Sequence, residues 1–288
     1  MGIKMKFQIK AYGKINLGLD VLGKLPSGYH EVRMVMQTVG IYDELTFEKT
    51  EDGIEIITDA AELSTGEDNL IYKAARLMKE KYHIREGIRI HLQKNIPIAA
   101  GMAGGSTDAA AAMKGISRLF DLDAGLLELM EAGVEIGADV PYCVIGGTAL
   151  AEGIGEKLTP LELAPECYVL VAKPDINVST KYVYEHLDMG KIEKHPDIDG
   201  MVEAIGIGSL QGILDRMENV LETVTIPAYP VIGQLKQRMK ELGAVNSLMS
   251  GSGPTVFGIF LERHTAQAAL DRLAQERLAR QIFVTTFC

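Results

Sequence analysis

Residues 96–112 read IPIAAGMAGGSTDAAAA. A stretch with the apolar alternation of a β-strand, 88–93, runs into this segment. Ala103, Gly104, Gly105 and Ser106 then open a helix, which Asp108 and the alanine run continue. Glycines at a helix mouth let backbone N–H groups approach a ligand closely, and the helix end adds partial positive charge. Ser106 and Thr107 place hydroxyls where a phosphate oxygen or its metal would sit. The pattern is an anion cradle, and a nucleotide phosphate is the anion it fits. Taken alone, the loop also reads as a Gly-rich turn before an Ala-rich packing helix.

Two common nucleotide motifs are excluded. A Walker loop needs a Lys after its last glycine, and none follows Gly105. Gly101, Gly104 and Gly105 do not have the Gly-x-Gly-x-x-Gly spacing of a dinucleotide site.

With 288 residues the chain can hold two domains and a substantial core. Apolar residues make up 47% and charged residues 24%, an ordinary globular balance. The net charge of −10 argues against bulk nucleic-acid binding, because no basic excess exists to neutralise phosphates. No apolar run approaches the length of a membrane span. The start, MGIKMKFQIK, lacks the apolar stretch of a signal peptide, and Lys6 stands where myristoylation wants Ser or Thr. Cys143, Cys167 and Cys288 are odd in number and scattered, which fits a reducing cytoplasm and neither a disulfide framework nor a zinc site. The six histidines form no cluster with ligand spacing.

The first 60 residues read as strands. Residues 14–21 alternate, with Ile15, Leu17, Leu19 and Val21 on one face. Residues 32–39, 44–48 and 53–58 continue the pattern. Asp68 is placed to cap a helix over 69–82. The glycine-loop helix follows to about residue 120, then a helix from Asp123 to Gly137, and a strand over 147–152. In the second half, 168–172, 244–249, 255–261 and 281–286 read as strands, and 180–241 as helix broken at Pro196, Pro227 and Pro230. With a helix over 265–278 the order is β-α-β-β-α-β, the split ferredoxin-like pattern. The fold class is α+β in two domains, 1–160 and 161–288.

Three further places carry polar groups of interest. By strand alternation Lys14 and Asn16 share a face, roughly 7 Å apart. Alone, that face reads as solvated. The second place is Gly137-Ala138-Asp139-Val140-Pro141, where Asp139 also reads as a turn cap. The third is Ser250-Gly251-Ser252-Gly253-Pro254, which also reads as a flexible hairpin.

Together these segments resemble the GHMP small-molecule kinases. The central family motif, Pro-x3-Gly-Leu-Gly-Ser/Gly-Ser-Ser-x-Ala-Ala, is similar to Pro97 followed by 101–110, GMAGGSTDAA. The C-terminal motif matches 250–257, SGSGPTVF. The segments 11–17, AYGKINL, Gly28-Tyr29-His30, Asp68-Asn69-Leu70-Ile71, 137–141 and 151–156 resemble the members acting on a cytidine diphosphate-linked methylerythritol. The resemblance covers residues 8 to 260. Ala103 departs from it, standing where many members have Gly. If that position takes a positive φ, Ala costs about 1 kcal/mol there.

The resemblance implies a two-domain GHMP kinase fold. It also implies transfer of the ATP γ-phosphoryl to the 2-hydroxyl of 4-diphosphocytidyl-2-C-methyl-D-erythritol, a step toward isoprenoid precursors. Lys14 and Asp139 are the implied catalytic pair, with Asp139 as base. Pro97, Ala99, Ala100, Gly101, Met102, Ala103, Gly104, Gly105, Ser106 and Thr107 would hold the ATP phosphates. Asn69, Leu70 and Lys94 would lie at adenine, and Ser106 would touch Mg²⁺. Asn16, Tyr29, His30 and Tyr184 would take the cytidyl substrate. A monomer or homodimer is expected, with no nucleic-acid or membrane partner. Mevalonate or homoserine kinase activity, and a nucleotide-binding regulator without turnover, are the alternatives. Gly28-Tyr29-His30 argues against the first, and retention of Lys14 and Asp139 against the second.

Overall fold

A computed structural model describes residues 6–288. The leader expectation draws on residues 1–5, which lie outside the described residues. The chain forms two compact units that interleave in sequence. One contains 6–13, Ile41–Ile98 and Ala103–Gly146, and the other Lys14–Gly40, Ala99–Met102 and Gly147–Cys288. The expected single division at residue 160 is therefore replaced by several crossings. The reason is the length of the first two strands. β1 runs Phe7–Lys24 and β2 runs His30–Thr50, so each passes from one unit to the other.

In the first unit the end of β2 pairs antiparallel with β4 (Gly87–Gln93), placing Phe47 opposite Ile90. β4 pairs parallel with β3 (Ile54–Thr58). The parallel pair is bridged by α1 (Leu70–Lys81), as a parallel connection requires. Leu45 and Phe47 on β2 and Ile88, Ile90 and Leu92 on β4 alternate inward, and all are buried. They pack with α1 and with α2 (Gly104–Leu119). α2 buries Ala109 to Ala112 together with Met113 and Ile116, so small side chains allow close helix packing. α3 (Leu126–Val134) and α4 (Val140–Ile145) complete the unit. α3 ends three residues before the expected Gly137. α4 takes up a stretch read as a turn, because Pro141 in its first turn is compatible with a helix start.

In the second unit the beginning of β2 pairs with β5 (Thr148–Glu152), with Met34 opposite Ala151. β5 turns into β6 (Lys157–Pro160), a short strand without a sequence signal of its own. A separate four-stranded sheet follows, made by β7 (Tyr168–Lys173), β8 (Asn246–Met249), β9 (Val256–Phe260) and β10 (Gln281–Thr286). Its order is β10-β7-β9-β8, antiparallel throughout. That is the β-α-β-β-α-β arrangement expected. The material before β8 forms α5 (Thr180–His186), α6 (Ile198–Gly206), α7 (Leu210–Leu214), α8 (Glu222–Ala228) and α9 (Pro230–Glu241). α9 packs on β8 and β9, and α10 (Arg263–Glu276) on β7 and β10. No helix among the described residues is long and apolar enough to cross a membrane.

Candidate active site

In the first unit the glycine loop delivers an uncapped helix. Ala103 stands before α2 at φ 55° and ψ 28°, left-handed, and offers no side-chain cap. The positive φ considered for this position is present, at about 1 kcal/mol of strain for a residue with a Cβ. The first α-helical bond is donated by Thr107 N–H to the Ala103 carbonyl. The N–H groups of Gly104, Gly105 and Ser106 have no acceptor within the helix, and no acidic residue lies in its first turn. A 16-residue helix directs the positive end of its dipole to this point.

Three side chains fix the approach to this helix. Lys94 Nζ lies 2.9 Å from Asp108 Oδ2 and also donates to Asp43 Oδ2. Asp43 Oδ1 accepts the backbone N–H groups of Asn95, at 2.5 Å, and Ile96, at 2.7 Å. Burial pushes Asp108 above the usual carboxylate range, with Lys94 opposing and Asp43 adding to the shift. The ammonium of Lys94, a residue expected at adenine, is held by these two carboxylates.

Thr107, expected at the ATP phosphates, follows in the same turn of α2. Its hydroxyl donates to the Tyr12 carbonyl at 2.8 Å, so its proton is already engaged, whereas no such bond engages Ser106 among those the structure gives. A Cβ added at Gly137 would come within 4.0 Å of Ser106 Oγ, so the turn before Asp139 borders the first turn of α2. Asp139 is half-buried at the start of α4 and makes no side-chain cap bond to that helix. The helix cap of α1 is Asn69, whose Oδ1 accepts from Ile71 N–H at 2.8 Å. Asp68, expected in that role, accepts from Ser64 instead. Leu70 reaches the loop, with Cδ1 3.3 Å from the place of a Cβ on Gly105.

In the second unit the polar face of β1 is buried, contrary to the solvated reading. Lys14 is 5% exposed and Asn16 fully buried. Lys14 Nζ donates to Asn16 Oδ1 at 2.7 Å, and Asn16 Nδ2 lies 3.1 Å from Met34 Sδ. Lys14 N–H donates to the Met102 carbonyl, and Ser250 Oγ donates to the Gly101 carbonyl at 2.9 Å. Gly101 is at φ 73°, and a Cβ there would stand 2.3 Å from the Ser250 carbonyl oxygen. Only glycine fits that approach. The 250–253 segment does join β8 to β9, but Ser250, Ser252 and Thr255 are buried rather than loose. Asn219 Nδ2 holds it by donating to the carbonyls of Met249 and Gly251. Asn219 escaped the sequence reading because nothing near it in the chain marks the role.

Also in this unit, His30 and Tyr184 stack, with ring centroids 5.1 Å apart and planes 29° from parallel. Tyr29, next to His30 in the chain, is 63% exposed. Burial, with Lys24 second, lowers the His30 pKa below 6.5.

Among the described residues, no three His, Cys, Asp or Glu side chains converge as a metal-binding set. The donor beside the loop is a hydroxyl, Ser106. This set fits a cation carried in by phosphates better than a resident metal.

The chain matches the GHMP kinases N terminal domain model over residues 69–147 and the GHMP kinases C terminal model over 201–279. It is 56% identical to the 4-diphosphocytidyl-2-C-methyl-D-erythritol kinase of Lachnospira eligens, covering 96% of this chain and 97% of that relative. The enzyme of the same name from Caldicellulosiruptor saccharolyticus is 51% identical, with 97% and 96% covered. A crystal structure of 4-(cytidine 5'-diphospho)-2C-methyl-D-erythritol kinase superposes with a TM-score of 0.84 at 30% identity, covering 98% of this chain and 99% of the other. Homoserine kinase from Cytophaga hutchinsonii gives a TM-score of 0.79 at 19% identity, covering 100% and 96%, a likeness of fold alone. With an uncapped helix behind a glycine loop, both family models matched and relatives aligned over nearly the whole length, the chain belongs to the GHMP kinases.

Proposed function

We propose that this chain transfers the γ-phosphoryl group of ATP to the 2-hydroxyl of 4-diphosphocytidyl-2-C-methyl-D-erythritol. The observation that carries this choice of acceptor is the His30–Tyr184 stack, with the exposed Tyr29 next to His30 in the chain. Aromatic faces take a nucleobase at roughly 1–3 kcal/mol each. The relatives' names point to the same cytidyl substrate. A base between two rings needs about 7 Å, twice the ~3.5 Å contact distance, so the 5.1 Å pair must part by about 2 Å or stack the base on its outer side.

The N–H groups at 104–106 and the Ser106 hydroxyl hold the ATP phosphates, and the helix dipole favours their charge. The Ser106 hydroxyl would hold Mg²⁺ arriving with ATP, and the ion would supply neutralisation of the charge that develops on the transferring group. The acceptor oxygen bonds to the γ-phosphorus while the bond to the β–γ bridging oxygen breaks, and ADP leaves. The hydroxyl proton goes to Asp139. A carboxylate is a weak base, but phosphoryl transfer is largely dissociative and lets the proton move late. A tertiary alcohol is hindered, so positioning matters as much as proton removal. Lys14, oriented by Asn16, offsets charge on the transferring group.

A substrate panel tests this reading. With Mg·ATP, the cytidyl substrate should turn over and mevalonate and homoserine should not. Turnover of mevalonate or homoserine in preference to the cytidyl compound would overturn the acceptor.

A further inference from the structure

The glycine loop has two ends, and one buried cluster touches both. The strand side enters through Lys94, Asn95 and Ile96. Asp43, on β2, accepts a hydrogen bond from each of the three: the Lys94 ammonium and the Asn95 and Ile96 N–H groups. The helix side leaves through Gly104 and, one turn on, Asp108, whose Oδ2 takes the same ammonium at 2.9 Å. A Cβ added at Gly104 would stand 3.0 Å from Lys94 Nζ and 3.1 Å from Ile96 Cγ2. The ammonium thus lies directly against the backbone of the first residue of α2. The side chains of Lys94, Asp43 and Asp108 are 6%, 0% and 4% exposed, so water does not screen the pairs.

We propose that Lys94, clamped between Asp43 and Asp108, is a positioning residue that sets the direction of the Gly104–Ser106 N–H groups and so the affinity for ATP phosphates. The clamp fixes 94–96 and 104–108 to one carboxylate of a central strand, leaving only the intervening turn to adjust. Preorganised donors cost no reorganisation when the anion arrives. The bulk stability of the unit needs no such arrangement, since apolar groups of similar volume replace buried ion pairs at little loss. The inference rests on the phosphate reading of the loop given above.

The test measures binding of a non-hydrolysable ATP analogue with Mg²⁺ by calorimetry, and the KM of the cytidyl substrate, on the full chain. Lys94→Met removes the ammonium. It leaves two carboxylates facing each other, so it may be replaced, where it does not fold, by Lys94→Met/Asp108→Leu, which retains Asp43 and its two backbone partners. Circular dichroism checks the fold. In the folded variant the analogue should bind at least about fivefold more weakly, with the cytidyl KM within about twofold of wild type, since small misplacements of binding groups carry effects of this size or larger. Lys94→Arg should recover most of the loss, because it restores a cation between the carboxylates. A loss of analogue affinity below about fivefold, or equal weakening toward both substrates, would overturn the positioning role. If wild-type protein itself fails to bind the analogue, the phosphate reading of the loop falls, and that outcome is separate from the variants.

Discussion

Lys14 and Asn16 form a buried pair, with the ammonium donating to the amide oxygen at 2.7 Å. The two share one face of β1, as alternation requires, and that face is covered rather than solvated. A Cβ at Gly18, two residues further on, would stand 2.9 Å from Ile198 Cδ1. On the proposed mechanism, Asn16 acts first through the orientation of Lys14. Asn16→Ala removes a hydrogen bond to a charged group, a loss of about 1.5–3 kcal/mol in such settings. We expect kcat to fall about 10- to 100-fold with the ATP KM within about threefold. A rise in cytidyl KM with kcat retained would make Asn16 a substrate contact instead.

The Ala103 strain is open to direct measurement. Ala103→Gly relieves about 1 kcal/mol, so ATP should bind more tightly by no more than about tenfold. The opposite change, Gly101→Ala, drives a Cβ to 2.3 Å from the Ser250 carbonyl oxygen and combines it with a positive φ. Melting temperature and ATP affinity should both drop in Gly101→Ala, and unchanged values would mean that the loop adjusts freely.

Ser106→Ala probes the remaining hydroxyl of the loop. The Thr107 hydroxyl already donates to Tyr12, so it offers no substitute. The ATP KM should rise or kcat fall, and an unchanged kcat/KM for ATP would remove Ser106 from the site.

The aromatic group should respond to pH. Burial, and secondarily Lys24, holds the His30 pKa below 6.5. Above the ordinary value the ring is neutral folded or unfolded, and pH has no effect through it. As pH falls below about 6.5 the unfolded ring takes its proton before the folded one, so the folded stack is increasingly opposed by protonation. Substrate binding follows the folded ring, which takes its proton below the ordinary value, so the cytidyl KM should be flat from about pH 8 through 6.5 and rise only at lower pH, and His30→Phe should abolish that rise. Tyr29→Ala should weaken the cytidyl substrate by roughly 1–3 kcal/mol and leave ATP binding nearly unchanged. If ATP weakened instead, the two nucleotide assignments would be exchanged.

How much was legible in the sequence follows from the range of each interaction. The loop and α2 were readable because small residues before an alanine run are a local signal; the family pattern singled out Ala103, but only the backbone shows that it is left-handed. The second sheet was readable from the order of its strands. The interleaving of the two units was not, because β1 and β2 are longer than their alternating cores suggest. Asn16 meets Met34 on another strand, and Gly18 on the same face meets Ile198 and Met201, all distant in sequence. The Lys94 clamp joins residues 43, 94 and 108, a set with no mutual spacing to detect. Asn219 is found only through the carbonyls it reaches.

The base assignment is the centre of the chemical account, and Asp139→Asn addresses it most directly. The substitution keeps the shape and hydrogen-bonding reach of the side chain at the start of α4, so the fold should survive. It removes the proton acceptor and its charge. The measurement is kcat with saturating Mg·ATP and cytidyl substrate, beside the affinity for an ATP analogue. The account predicts a fall in kcat of about 10²–10⁴ with analogue affinity retained. A variant that keeps more than about a tenth of the wild-type kcat would contradict general-base work by Asp139 and leave catalysis to positioning and the loop's electrostatics.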